Sequence, residues 1–188
     1  GAWAHANWEE ILDQLPQRRP SKRAELTVGY RIPAPNMALA AKVLAVAAPE
    51  LAPPVSVRED GSDPTIVAAT EASLLDDVAE LVRSEVAAVG SGNVAIICPP
   101  TLLDAVDAGL EERGIQHGHA SMQGLDHQVT VVPIALIKGL ELDATIVVEP
   151  ARIVAEQAQG MRALYVTLTR ATKRLAIVHA EPLPEPLS

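Results

Sequence analysis

Two textures of apolar residues alternate along the chain. Continuous apolar runs of strand length fall at residues 65–69, 94–98, 129–134, 145–148 and 175–178. Between them, apolar residues recur three and four positions apart, as at Leu74, Leu75, Val78, Leu81, Val82 and Val86. That recurrence lays one apolar stripe along a helix and predicts helices over 71–89 and 102–113. Gly90-Ser91-Gly92 and Gly114 follow them, where glycine closes a helix by accepting left-handed backbone. Upstream, Trp8, Ile11, Leu12 and Leu15 predict an amphipathic helix over 3–15 that Pro16 stops. A basic loop over 17–23 and a short strand over 25–28 come next. Pro33 and Pro35 then precede an Ala-rich helix through Met37, Ala40, Ala41, Leu44 and Ala48, since proline suits a first helical turn.

Apolar runs without polar alternation are strands buried on both faces, and helices between them make the connections parallel. The expectation is an α/β sandwich of three layers with a mostly parallel sheet. In such sheets ligands bind beyond the carboxyl ends of strands, which points to the turns after residues 28, 134 and 148. Residues 49–64, rich in proline and containing Asp60-Gly61-Ser62-Asp63, predict a surface loop with one edge strand at 55–58. Residues 182–186 form a Pro-rich tail.

Composition narrows the partners. The 188 residues are enough for one large core, yet aromatics are 2% of the chain and Phe is absent, so Ala, Val, Leu and Ile must fill it. A net charge of −9 excludes a broad basic groove for nucleic acid on this chain alone. Cys98 stands alone among Ile96, Ile97 and Pro99, which predicts a buried, inert thiol in a reducing compartment. No apolar run approaches a membrane span, so the expectation is a cytoplasmic protein with no membrane partner. The chain begins at Gly1 rather than Met, as at a cut point.

Three places carry candidate chemistry. Tyr30-Arg31 follows the strand at 25–28, where a ring can stack on a base and a planar guanidinium can meet a phosphate; the plain alternative is a ring covering the sheet edge beside a solvated Arg. Lys138-Gly139-Leu140-Glu141 sets a lysine and a carboxylate around a glycine, able to approach a phosphate and a sugar hydroxyl or to form an ordinary turn. Over 160–172, Met161, Leu164, Tyr165, Leu168 and Thr172 share one helical face, which turns Arg170 away from the core. There Arg170 either favours the helix dipole with Lys173 and Arg174 or stabilises charge on a transferring phosphoryl group. A G-x-x-x-x-G-K-[ST] loop to hold that phosphate is missing from the sequence. His117, His119 and His127 show no acidic or Cys partner at a metal-ligand spacing, so no metal site is expected. Glu71, Asp76, Asp77, Glu80 and Glu85 read as the wet face of their helix.

These strings resemble a known set. Leu26 to Pro33 looks like motif IV of the UvrD/Rep-like superfamily 1 helicases, residues 137–143 resemble their motif V (K-G-L-E-F-D), and residues 164–171 their motif VI (L-Y-V-A-L-T-R-A). Order and spacing agree from about Trp8 to His179. The resemblance implies a second RecA-like domain over 25–180, entered through 1–24 and followed by a tail over 181–188. It implies ATP with Mg²⁺ in a cleft against a P-loop domain of the same protein, which supplies the Mg²⁺ ligands. Tyr30 would then stack on adenine, Arg31 and Arg170 would contact the γ-phosphate as the catalytic arginines, and Glu141 would meet the ribose. Lys138 and Gly139 would shape the motif V turn.

Flanking texture, including Val147-Val148-Glu149-Pro150, is most similar to the actinobacterial HelD-like branch, whose members use nucleotide to release RNA polymerase from nucleic acid. The Thr-x-His that precedes the motif V lysine in strand-tracking helicases is replaced at Pro133 and Ala135. That change, with the acidic charge, favours a polymerase-directed or otherwise non-unwinding role, with DNA, RNA polymerase or both as partners. A processive DNA helicase and a catalytically dead interaction module are the alternatives.

Overall fold

The computed structural model describes residues 31–120 and 125–188. The expected helix at 3–15, basic loop at 17–23, strand at 25–28 and ring of Tyr30 lie outside the described residues. The elements are α1 (Ala34–Ala47), β1 (Thr65–Ala68), α2 (Leu74–Val89), β2 (Val94–Cys98), α3 (Leu103–Glu112), β3 (Gly118–His119), β4 (Val129–Pro133), β5 (Leu142–Val148), α4 (Pro150–Glu156), α5 (Gly160–Leu168) and β6 (Ala171–His179).

The six strands pair in the order β1-β6-β5-β2-β4-β3, and every pairing is parallel. Successive side chains of a strand point to opposite faces, and the core divides accordingly. Ala95, Ile97, Val132, Val147, Leu175 and Ile177 pack with α1, α4 and α5. Ile96, Cys98, Val131, Ile146, Ala176 and Val178 pack with α2 and α3 on the other face. This is the three-layer α/β sandwich expected from the runs. Tyr165 is the one aromatic ring buried in the described core, so aliphatic burial at about 25 cal/mol per Å² carries the packing.

Local signals acted as physics requires. Pro35 sits in the first turn of α1, and Gly90 ends α2 with φ 62°. Three expectations differ. The segment 55–58 makes only isolated bridge contacts, Arg58 pairing with Pro33. Glu85 is buried on α2 rather than wet, because Arg174 of β6 reaches it at 2.6 Å. The helix over 160–172 stops at Leu168. There Thr167 Oγ1 donates to the Ala163 carbonyl at 2.7 Å and Thr169 Oγ1 to the Val166 carbonyl at 2.9 Å, and such back-bonding competes with further helical turns.

Candidate functional site

The candidate residues gather at the amino ends of β5 and β6. The expectation had been the carboxyl ends. β4 and β5 are parallel and flank β2, so the connection must run back along one face of the sheet, where Ile134 and Ile137 pack in the core, and the Lys138 to Glu141 turn arrives beside the start of β5. The carboxyl end of β5 serves structure instead: Glu149 is buried with φ 52°, and its Oε1 accepts from the backbone N–H of Ala180 at 2.7 Å and of Glu181 at 3.2 Å.

Gly139 adopts φ 75°, with no atom within 4 Å of where a Cβ would stand. The turn needs glycine for its backbone, and the space above the turn is open to a ligand. Asp143 anchors the far side. Its Oδ2 accepts from Asn93 N at 2.9 Å, and its own N donates to Asn93 Oδ1 at 2.7 Å. This reciprocal pair fixes the turn to the start of β2, while Lys173 approaches Asp143 at 3.4 Å. Lys138 is half-buried and Glu141 exposed.

Arg31 Nη1 donates to Glu141 Oε1. Both side chains are about half exposed, so the pair orients Arg31 more than it stabilises the fold. Arg58, which sequence reasoning missed, holds this corner together. Its Nη1 donates to the Arg31 carbonyl at 2.9 Å and the Thr172 carbonyl at 2.5 Å, while Nε and Nη2 clasp Asp60 at 3.0 and 2.7 Å. Donating to Asp60 raises the Arg58 pKa, and Arg58 holds the Asp60 carboxyl below its ordinary range. The only trace in the sequence was an Arg two residues ahead of an Asp in a Pro-rich loop. Gly61 completes the fit, for a Cβ there would stand 2.7 Å from Pro33 Cβ.

Arg170 corrects the helical-wheel expectation. It lies in the turn between α5 and β6 and is 3% exposed. Nε donates to the Val166 carbonyl at 3.2 Å and Nη2 to Thr169 Oγ1 at 3.3 Å. The dipole reading is therefore partly realised, since Val166 belongs to the last turn of α5. Lys173 and Arg174 do not share it, being turned toward Asp143 and Glu85. Nη1 of Arg170 is buried with no hydrogen-bond partner. Burial lowers its pKa to about 10, against a small opposing pull from Tyr165, so it stays charged at neutral pH. Tyr165 is itself pushed up to about 12 by the same burial.

Leu142 N donates to the Arg170 carbonyl at 3.2 Å, and a register irregularity follows at once between Leu142 and Ala144. Such irregularities re-aim side chains beside functional sites. A backbone contact thus brings Glu141 and Arg170 to one edge, and the side chains of Arg58 and Glu141 hold Arg31 beside them. Cys98 is apart from them, buried in β2, its thiol pushed up to about 12 chiefly by burial. The histidine expectation also changes: the fold supplies an acidic partner, Asp107, to His117 and His119.

The residues present suit a phosphate ligand, in that a buried guanidinium has a donor to spare and an open glycine turn adjoins it. Among the described residues no helix is long and apolar enough to cross a membrane. No protein-family model matches the sequence, and no curated protein matches it. Solved structures do. The C-terminal domain of a possible DNA helicase from Lactobacillus plantarum WCFS1 matches with a TM-score of 0.66 at 25% identity, over 85% of this chain and 92% of that one. The Sulfolobus solfataricus SWI2/SNF2 ATPase core in complex with dsDNA matches with a TM-score of 0.48 at 14% identity, over 63% of this chain and 28% of that one. An arterivirus nonstructural protein 10 helicase with DNA matches with a TM-score of 0.44 at 15% identity, over 62% and 28%. The six-stranded all-parallel sheet and its two helical layers are the RecA-like fold of a helicase C-terminal domain.

Proposed function

We propose that this chain is the second RecA-like domain of a UvrD/Rep-like superfamily 1 motor of the HelD-like branch. In that reading its amino-edge residues close an ATP site whose P-loop and Mg²⁺ ligands belong to another domain of the same protein. The observation that carries it is Arg170, a charged guanidinium buried with no carboxylate partner among the described residues and with Nη1 unsatisfied.

An uncompensated buried charge is costly unless an anion arrives. Reaching a phosphate on another domain requires the guanidinium to leave its pocket. Little is lost when it does, because its bonds run at 3.2 and 3.3 Å to uncharged oxygens. Arg31, held at the same edge by Glu141 and Arg58, adds a second guanidinium. Glu141 accepts hydroxyl hydrogen bonds from the ribose, Gly139 gives backbone clearance, Lys138 shapes the turn, and Tyr30 stacks on adenine. Hydrolysis of ATP supplies the free energy, and the chain's own part is to place positive charge where it develops on the phosphoryl group.

The object of the motor is RNA polymerase rather than a tracked DNA strand. Support comes from the chain's net charge of −9 and from Pro133 and Ala135 at the positions of the missing Thr-x-His. The isolated chain neither hydrolyses ATP nor unwinds DNA. Joined to its P-loop domain, it loses turnover when Arg31 is replaced by Ala, and polymerase complexes stimulate turnover more than single-stranded DNA does. Hydrolysis by the isolated chain that Arg170→Ala abolishes would overturn the division of the site. Stimulation by single-stranded DNA alone would return the reading to a processive helicase.

A further inference from the structure

Away from the nucleotide edge, two imidazoles and a carboxylate converge where α3 meets the edge strand β3. Asp107 is in the middle of α3, and His117 and His119 stand two residues apart, so they reach the same side of an extended segment. His117 Nε2 is 2.5 Å and His119 Nε2 3.0 Å from the same Asp107 Oδ1. The ligand atoms of all three lie within 4.8 Å of one another. Between the histidines, Gly118 leaves no room for a side chain, since a Cβ would stand 2.3 Å from His127 Nδ1. A surface cleft of about 420 Å³ opens over the three residues, with Glu111 one helical turn beyond Asp107.

The groups that pair here through Asp107 also have the features of a ligand set. His117 Nδ1 lies 2.9 Å from the Ile115 carbonyl, to which it donates. That bond fixes the ring and leaves Nε2 as the donor atom toward a cation, the outer-shell arrangement of metal-binding histidines. Tetrahedral ligands about 2.0–2.1 Å from a zinc ion sit about 3.3 Å apart. The separations seen here, 2.5 and 3.0 Å with an outer limit of 4.8 Å, bracket that spacing. Rotations about the side-chain torsions suffice to admit an ion. Two imidazoles with one carboxylate select a borderline transition metal over Ca²⁺ or Mg²⁺, which prefer oxygen ligands.

We propose that Asp107, His117 and His119 bind a divalent ion of the zinc class, clipping β3 to α3 and leaving a coordination position open to the cleft. β3 is only two residues long and ends the sheet, so a clip there fastens an edge with little ladder of its own.

The test uses the 188-residue chain, free of any affinity tag and stripped with a chelator. It is titrated with Zn²⁺ by calorimetry and with Co²⁺ by visible absorption. The expected result is uptake of one equivalent, a Co²⁺ ligand-field band that Zn²⁺ displaces, and a Zn²⁺-dependent rise in thermal midpoint. His119 is 61% exposed in its side chain, so His119→Ala should fold normally. That variant and Asp107→Asn should each weaken Zn²⁺ binding about tenfold or more, whereas His179→Ala should not. Absence of saturable uptake below about 1 mM, or unchanged Zn²⁺ affinity in folded His119→Ala, would overturn the proposal.

Discussion

The backbone N–H of Leu142 donates to the carbonyl of Arg170 at 3.2 Å, so the Lys138 to Glu141 turn and the Arg170 turn are neighbours through main chain rather than by side-chain chance. From the other side, Arg58 ties the carbonyl of Arg31 to that of Thr172. These two ties build a corner that keeps Arg31, Glu141 and Arg170 at one edge of the sheet.

Replacing Arg170 separates stability from activity. Burial lowers its pKa from 12.5 to about 10, a penalty on the charged form worth about 3 kcal/mol before its two hydrogen bonds are counted. Arg170→Met should therefore raise the unfolding free energy of the chain by about 1–2 kcal/mol in urea titrations. Because the folded pKa lies below the unfolded one, the penalty is present in full below about 10 and fades as pH rises past it. The gain should thus be constant between about pH 6 and 9. A loss of stability in the variant would show that Arg170 is a structural capping residue.

Arg58 is predicted to be structural first and functional second. Arg58→Ala removes its bonds to two backbone carbonyls and should cost about 1–2 kcal/mol of stability. In the full motor it should also raise KM for ATP, since Arg31 then loses its anchor. Urea titration of the chain, paired with steady-state kinetics, checks both.

Arg31 and Glu141 should show the reverse balance. Their exposed pair is worth less than about 1 kcal/mol to folding, so Arg31→Ala and Glu141→Gln should barely move the denaturation midpoint. In kcat/KM for ATP each should lose about tenfold or more, and the double variant should lose less than the product of the two. Additive kinetic losses would mean that the pair does not act as one unit.

Cys98 tests the core. With its thiol buried and its pKa pushed up to about 12, it should resist an aromatic disulfide reagent at pH 8 until the chain unfolds. The labelling rate should follow global unfolding as urea is added. Rapid labelling of the native chain would contradict the packing of β2.

Much of the scaffold was legible in the sequence because burial writes itself into short apolar runs. Val94 to Cys98 are buried without exception, and the run could not have been anything but a central strand once helices flanked it. Arg170 was illegible for a local reason. A helical wheel assumes that the helix continues, and two threonine hydroxyls ended it before Arg170. Glu85 was misread because its partner, Arg174, comes from a distant strand that no helix-face argument can see, and the histidines were read without Asp107, which the fold turns toward them from α3. The edge that holds the candidate residues was misjudged too, since the rule for parallel sheets names the carboxyl ends. It does not cover a turn that runs to the beginning of the next strand.

The most direct measurement is steady-state ATP turnover by a longer protein that joins this chain to the P-loop domain proposed for it, with Arg170 changed to Ala and nucleotide affinity measured alongside. An arginine that stabilises the transferring phosphoryl group should give a fall in kcat of about 10³-fold or more, with the Kd for ATP changed by less than about tenfold. An unchanged kcat in a folded, ATP-binding Arg170→Ala protein would contradict the account.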